Sequence, residues 1–185
     1  MTFTPHLRPT THSSTPWAKG DDKACFETDR VAQTTLRFEW WREALWLIDS
    51  NDHVVLCDRR GLSRLGIHGF DVRGLSHYRA TARRDDFTPG HSVHLHRDPQ
   101  NPYDKNAIQV RAIGSHEPVG YVNKQKAATL AKMLDRGDNL NAICLRGAPP
   151  GAQPAKISIL VATPELITHL LRNLATDANS VRLTK

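Results

Sequence analysis

The fold is decided by residues 94–108, which read HLHRDPQNPYDKNAI. Residues 91–96 alternate polar and apolar side chains, and residues 107–111 do the same. Because such alternation is typical of a half-buried strand, each segment is predicted to be a β-strand. The prolines and Asn/Asp residues between them have the chemistry of type I turns. The stretch is therefore predicted to be two strands joined by an ordered loop.

Downstream of this pair, the sequence predicts a short strand at Pro118–Val122 and a helix over residues 123–136. Asn123 is a suitable N-cap, and Gly137 stands where a helix C-terminus is expected. The apolar side chains between them recur at helical spacing; they are Ala127, Leu130, Ala131 and Leu134. Local signals therefore agree on this helix.

The remaining elements complete a mainly β pattern. Strands are predicted near Tyr78–Arg83, Ala142–Leu145 and Ile157–Val161. A last helix begins at Thr163-Pro164-Glu165, a cap followed by proline at the first helical position. Six strands and two helices favour a small barrel or strongly curved sheet with an N-terminal extension.

The tryptophan-rich stretch Leu36–Ile48 fits neither period alone. Alternate residues match a strand, whereas another subset matches a helix face. Three tryptophans lie within it: Trp40, Trp41 and Trp46. They are either a stacking platform for bases or side chains that pack onto the main domain. Val54–Cys57 is predicted to be a short strand.

These patterns divide the chain into four parts. Residues 1–30, rich in turn formers, are predicted to be a flexible arm. Residues 31–69 are a tryptophan-rich segment of unassigned structure, residues 70–175 are the barrel domain, and residues 176–185 are a C-terminal tail.

Composition favours a polyanionic partner. The 185 residues are 39% hydrophobic, which is enough for a core, and the formal net charge is +6. Residues 70–146 contain 12 Lys/Arg against 8 Asp/Glu, so the segment with the clearest pattern is also basic. No apolar run is long enough for a membrane span or a signal core. We therefore predict a cytoplasmic protein, located on the nucleoid if it binds DNA.

Motifs for catalysis are absent from the sequence. Gly61–Gly66 has the glycine spacing of a phosphate-binding loop, but Ile67 and His68 replace the lysine and hydroxyl that such a loop needs. His94 and His96, with His91 nearby, could bind a transition metal only with ligands that the sequence does not locate. We predict no enzyme activity, no cofactor and no metal.

Residues 78–137 resemble the HIRAN domain family, a module of helicase-like remodelling ATPases that also occurs as short bacterial proteins. The resemblance is carried by residues 94–108, by Val119–Val122 and by Ala127–Leu134. It implies an oligonucleotide-binding-like (OB-like) barrel that holds the 3′ end of single-stranded DNA.

The resemblance also implies roles for individual residues. Tyr103 corresponds to the ring on which a terminal base stacks, and Asp104 to the carboxylate that accepts a hydrogen bond from the 3′-hydroxyl. Tyr78 matches one aromatic residue of a pair, whereas His77 replaces the other. Ser76 stands where the family has an arginine that contacts DNA, so one phosphate contact is missing.

Physical chemistry supports these roles independently. Base–aromatic stacking tolerates any sequence, and an aspartate among cations repels a continuing phosphodiester, which favours a free end. The candidate DNA-binding residues also include a loop residue, a second tyrosine and several cations; they are Asn101, Tyr121, Arg97, Lys105, Lys124 and Lys126. The amides at the start of the 123–136 helix would favour phosphate.

Other interpretations stay open for these residues. Asn101, Pro102 and Asp104 could serve only as turn residues, and Tyr103 could only cover the mouth of the barrel. Tyr121 could pack in the core, and the lysines could be solvated. For the whole chain, the alternative to DNA binding is an accessory domain that docks a helicase or remodelling ATPase, with the tryptophan-rich segment as the contact.

Overall fold

The computed structural model describes residues 35–57 and 60–180, with only the backbone at residues 60, 173 and 175–180. The predicted arm of residues 1–30 lies outside this part of the chain. Two compact units divide the described residues. One contains residues up to Ile67 and from Pro164 onward, and the other contains His68–Thr163.

The first unit resolves the ambiguous tryptophan-rich stretch as a β-hairpin. Strands β1 (Arg37–Trp41), β2 (Ala44–Ile48) and β3 (Val54–Val55) form an antiparallel sheet in that order. The β1–β2 turn consists of Arg42 and Glu43, both with positive φ, at 47° and 59°. Two successive left-handed residues are the geometry of a type I′ hairpin turn. The strand period was therefore the correct one.

The C-terminal helix of the chain belongs to this first unit. A 3-10 helix spans Arg60–Leu65, and the C-terminal helix spans Pro164–Ser180 and lies against β1. Apolar side chains from the sheet, the 3-10 helix and the C-terminal helix are buried; they include Phe38, Leu47, Ile48, Leu62, Leu166 and Leu170. The predicted tail starts inside this helix, since the backbone is helical to Ser180.

The second unit is a six-stranded antiparallel sheet in the order β4-β9-β8-β5-β6-β7. Its strands are β4 (His68–Asp71), β5 (Ser92–Arg97), β6 (Ile108–Ala112), β7 (Gly120–Tyr121), β8 (Asn141–Arg146) and β9 (Ser158–Ala162). Two helices accompany them, α1 (Arg79–Arg84) and α2 (Lys124–Asp135), so that the C-terminal helix Pro164–Ser180 is α3. The mainly β, barrel-like fold is confirmed.

The sheet curls until its two edge strands meet. Arg73, which follows β4, and Tyr121 in β7 exchange backbone hydrogen bonds of 2.8 and 2.9 Å. Gly120 permits this approach, since a Cβ there would lie 2.3 Å from the Arg73 carbonyl oxygen, and its φ is +155°. The Arg73–Tyr121 bridge therefore closes the curled sheet beside Tyr121.

Helix α2 begins and ends as its sequence predicts. The Asn123 side chain accepts a hydrogen bond from the Lys126 amide, which caps the first turn. At the other end Gly137 has φ +79°, and the amides of Gly137 and Asp138 bond back to Leu134 and Met133. This is the paired pattern of a Schellman cap. Ala127, Leu130 and Ala131 are buried in the core, which the sheet encloses.

One predicted element is wrong. Tyr78–Arg83 is not a strand, because Arg79–Arg84 forms helix α1 after a 3-10 helix at Leu75–His77. The sixth strand is instead β4, which pairs with β9. The predicted total of six strands was thus reached with one strand misplaced, and the described chain has three α-helices rather than two.

Within residues 35–57 and 60–180, no helix combines the length and apolar character needed to span a membrane.

Candidate nucleic-acid interface

The β5–β6 connection is organised by the side chain of Asn101. Its Oδ1 accepts hydrogen bonds from the amides of Tyr103 (3.0 Å) and Asp104 (3.3 Å), and its Nδ2 donates to Asp98 (3.1 Å). An Asn that bonds to the backbone two residues on forms an Asx-turn. Asn101 is therefore a turn residue that fixes the backbone on which Tyr103 and Asp104 stand.

Asp98 joins this connection to the sheet. Its Oδ2 accepts hydrogen bonds from Asn101, from Gln109 Nε2 (3.2 Å) and from the Tyr121 hydroxyl (3.2 Å). The Asn101 bond, followed by those from Gln109 and Tyr121, outweighs partial burial and lowers the pKa of Asp98. The charged carboxylate is thus the centre of a network that we call the Asp98 network: Asp98, Asn101, Gln109 and Tyr121.

Tyr121 and Tyr78 form an aromatic pair at the edge of the Asp98 network. Their ring centroids are 6.3 Å apart, with the planes tilted by 53°, and both side chains are half-buried. Burial, more than the neighbouring Tyr78, raises the pKa of Tyr121. His77 is exposed, next to the turn at Gly74. The structure therefore brings Tyr78 and Tyr121 together, although the sequence offered them separately.

Tyr103 and Asp104 lie at the outer end of the connection. Tyr103 is 92% exposed, so its ring contributes little to the core. The half-buried Asp104 accepts a hydrogen bond from the Asn106 amide at Oδ1, at 2.8 Å. Its Oδ2 accepts none from the described residues. One oxygen of Asp104 is thus used by its own loop, and the other stays available.

The predicted cations differ in their surroundings. Lys105 and Lys124 are exposed, and Lys126 is half-buried, close enough to His68 in β4 for its charge to act on that residue. Burial first and then the charge of Lys126 lower the pKa of His68. The three lysines remain candidates.

Arg97, which was predicted to contact phosphate, is held by hydrogen bonds within the protein. Its Nε and Nη2 donate to the two carboxylate oxygens of Asp135 at 2.8 and 3.2 Å. Nη1 and Nη2 also donate to the carbonyls of Ala107 (2.7 Å) and Lys105 (3.2 Å). Because all three nitrogens are bonded within the protein, Arg97 ties the connection to α2.

The histidines of β5 do not form a metal site with their neighbours. Among the described residues, no group of three or more His, Cys, Asp or Glu side chains could hold a metal ion. His91 Nδ1 lies 2.7 Å from Asp86 Oδ2, in hydrogen-bond contact. His94 and His96 are exposed on the outer face of the sheet.

A shallow cleft lies away from these residues. It encloses about 430 Å³ and is lined by residues 84–86 and 112–117. Arg84 donates to Asp85 and Glu117 there, and Thr81 also donates to Glu117. None of the predicted site residues lines this cleft.

Sequence reasoning missed Asp98 and Gln109. Asp98 stands before a proline and looked like one more turn residue, and Gln109 looked like an ordinary outward strand position. The strand register places Gln109 opposite both His96 and Tyr121. Only in the folded sheet does its Nε2 therefore reach Asp98.

Comparison with known proteins identifies the family. The family model described as HIRAN domain matches residues 65–162, which is more than half of the chain. The chain therefore belongs to the HIRAN domain family. The predicted barrel domain, residues 70–175, begins inside this match and continues into α3.

Individual relatives share only part of their length with this chain. The helicase-like transcription factor of Oryctolagus cuniculus is 41% identical over 64 residues, which are 35% of this chain and 6% of the relative. That of Mus musculus is 30% identical over 89 residues, 48% of this chain and 8% of the relative. The chain thus spans less than a tenth of these relatives.

Similar solved structures come from the same family. The crystal structure of the HIRAN domain of human HLTF has a TM-score of 0.41 at 26% identity, covering 60% of this chain and 88% of that one. The NMR structure of the HLTF HIRAN domain in its DNA-bound conformation has a TM-score of 0.36 at 28% identity, covering 60% and 87%.

Proposed function

We propose that this protein binds single-stranded DNA without catalysing a reaction, and that it recognises strands that end in a 3′-hydroxyl. The observation that carries the proposal is the fully presented ring of Tyr103 on a loop fixed by the Asp98 network. An exposed aromatic ring on an ordered loop contributes little to folding and is suited to stacking on a base.

The aromatic pair supports the same function. Tyr78 and Tyr121 lie next to each other, and Tyr121 is bonded to the carboxylate that also holds Asn101. Hydrogen bonds therefore connect the pair to the backbone of Tyr103 and Asp104. Each stacked base contributes about 1–3 kcal/mol, so two aromatic sites are enough for measurable binding.

Asp104 supplies the proposed preference for an end. Its free Oδ2 would accept a hydrogen bond from a 3′-hydroxyl, whereas a continuing or terminal phosphate would bring a second anion to the same place. The bond from Asn106 fixes the carboxylate without occupying both oxygens. It orients the group, and this orientation is compatible with recognition of an end.

In the relatives, the matched segment is a small part of a much longer chain. We propose DNA repair or replication as the setting, with a helicase or remodelling ATPase as a partner that would supply the catalysis.

Fluorescence anisotropy with short oligonucleotides that end in a 3′-hydroxyl or a 3′-phosphate tests the proposal. We expect tighter binding to the hydroxyl. Tyr103→Ala should weaken binding to every sequence by about 1–3 kcal/mol. Asp104→Asn should mainly remove the preference between the ends. Ile113→Ala, at an exposed apolar residue beside the cleft, is the matched control and should change neither quantity.

Two results would count against the proposal at different levels. Equal affinity of the wild type for both ends would exclude end recognition and leave general DNA binding in place. Binding that is independent of salt would argue against phosphate contacts altogether, since each contact releases counterions. It would favour the accessory domain that docks a protein partner.

A further inference from the structure

The outer face of β5 and β6 carries basic side chains that the fold does not neutralise. In the strand register His94 lies opposite Arg111, and His96 lies opposite Gln109. Such cross-strand neighbours share a sheet face, with Cβ atoms about 5 Å apart. The rings of His94 and His96 are 6.3 Å apart, and both side chains are exposed. Two imidazoles and a guanidinium therefore form one patch.

Arg111 differs from Arg84, Arg97 and Arg136 in its partner. Arg84, Arg97 and Arg136 each pair with a carboxylate. Arg111 donates from Nε and Nη2 to the amide oxygen of Gln109, and it forms no ion pair with any described residue. A neutral amide positions the guanidinium and leaves its charge in place. This arrangement is suited to an external anion.

The patch is continuous with the candidate interface. Gln109, which holds Arg111 through its Oε1, donates from Nε2 to Asp98 and to the Tyr121 hydroxyl at 3.2 and 3.4 Å. Arg111 is thus hydrogen-bonded to a member of the Asp98 network, which orders Asn101 and Tyr103. An anion bound to this patch would lie on the same face of the sheet as the aromatic pair.

We propose that His94, His96 and Arg111 form a second subsite, which binds backbone phosphates of the nucleotides that precede the terminal one. The inference rests on the proposed function and specifies where the strand runs beyond its bound end. Phosphate is favoured because Arg binds it with a planar set of donors and protonated imidazole adds charge.

The subsite should depend on pH. Burial, then Arg111 and His94, lower the pKa of His96, and the charge of Asp98 opposes them. His96 is therefore neutral at neutral pH, and a phosphate placed against it favours the protonated form. Proton uptake on binding makes affinity rise as the pH falls toward the lowered pKa of His96.

Anisotropy with 3′-hydroxyl oligothymidines of about three and about twelve nucleotides separates the subsites, since OB-type sites cover about 4–16 nucleotides. At about pH 5.5 the longer strand should bind about tenfold more tightly than at about pH 7.5, and the shorter one should change little. His94→Gln with His96→Gln should remove this gain. Arg111→Gln should lower the salt slope by about 0.7, the value of one single-strand phosphate contact.

His116→Gln is the control, because it removes an exposed histidine beside the cleft. It should keep the gain in acid. If the gain persists in the double histidine variant, or if affinity does not increase with length, the second subsite is excluded while end binding stands. If neither strand binds to the wild type at any pH, the proposed function fails and the second subsite fails with it.

Discussion

The β1–β2 turn and the β5–β6 connection are ordered in opposite ways. The β1–β2 turn has two residues, Arg42 and Glu43, which simply reverse the chain in the left-handed conformation. The β5–β6 connection, residues 98–107, is ordered by the side chains of Asp98, Asn101 and Asp104. Longer loops are entropically costlier to close. The short turn is set by its backbone alone, whereas the long connection uses side chains to hold the backbone of Tyr103 and Asp104.

The largest effect is expected from converting the long connection into a short one. Replacing residues 99–106 with Asn-Gly should leave a hairpin, since this dipeptide favours the type I′ turn. Affinity for a 3′-hydroxyl oligonucleotide should fall at least about a hundredfold, because a stacked base alone contributes about 1–3 kcal/mol. Circular dichroism melting checks the fold, and anisotropy the affinity. A folded variant that still binds with the wild-type affinity would show that the long connection does not carry the DNA-binding residues.

The next effect concerns the strand on which the long connection depends. Gly120→Ala would place a methyl group 2.3 Å from the Arg73 carbonyl oxygen and force β7, with Tyr121, away from its bridge. We expect the free energy of unfolding to fall by about 2–3 kcal/mol in denaturant titrations. Gly114→Ala is the control: its φ is also positive, but no atom is within 4 Å. It should cost only about 1 kcal/mol.

Removing the central carboxylate should have an intermediate effect. Asp98→Ala leaves Asn101, Gln109 and Tyr121 without their common acceptor, and the half-exposed site limits the loss to about 1–2 kcal/mol. Chemical denaturation measures it, and DNA affinity should fall as well. Asp138→Ala, which removes a carboxylate paired only with exposed Arg136, should leave both quantities unchanged. Equal effects of the two changes would show that the Asp98 network does not order the connection.

The short turn should tolerate change and even gain from it. Glu43 has φ 59°, a conformation that glycine adopts without steric cost. Glu43→Gly should therefore raise the free energy of unfolding by about 0.5–1 kcal/mol, and it keeps the cation–π contact of Arg42 with Trp41. DNA affinity should not change. A loss of affinity on anisotropy would mean that the hairpin takes part in binding.

The smallest effect is a difference in titration. The pKa of Asp98 is lowered below 3.8, so its stabilising contribution is present above that pH and is lost as the pH falls through the folded-state value. NMR titration of the side-chain carboxyl carbon should give a midpoint below 3.8. Asn101→Ala should raise it, because the Asn101 bond is the largest cause of the shift. An unchanged midpoint would show that Asn101 does not donate a hydrogen bond to Asp98.

Elements with complete local signals could be predicted from the sequence. Helix α2 has its cap at Asn123, its apolar spacing and Gly137 within one segment, and β5 and β6 alternate without interruption. These signals need no distant partner. The class of fold followed from them, whereas the family was named from the resemblance of residues 94–108 and the segments after them.

The errors arose where distant contacts decide the structure. Over residues 79–83 alanine alternates with polar side chains as in a strand, but alanine and arginine both favour helix, and Thr81 and Ala82 are buried side by side. Strand β4 contains Gly69 and forms through its pairing with β9, far along the chain. The β1–β2 turn has no Gly or Asn to signal its left-handed backbone.

The candidate site was predicted only in outline. Tyr103 and Asp104 were named from the family resemblance, and the structure places them with Asn101 on one loop. The role of Asp98 depends on Tyr121, 23 positions later, and the ion pair of Arg97 depends on Asp135, 38 positions away. Sequence spacing does not show which charges meet across a sheet.

The bridge between Arg73 and Tyr121 has a thermodynamic consequence. Two amides complete the ring of strands there, and one of them belongs to a residue of the candidate interface. A molecule that binds the Tyr121 ring only while this bridge is closed therefore lowers the fraction of molecules in which the bridge is open. Hydrogen–deuterium exchange at the amides of Arg73 and Tyr121 should consequently slow when a molecule occupies the Tyr121 ring, although neither amide contacts that molecule.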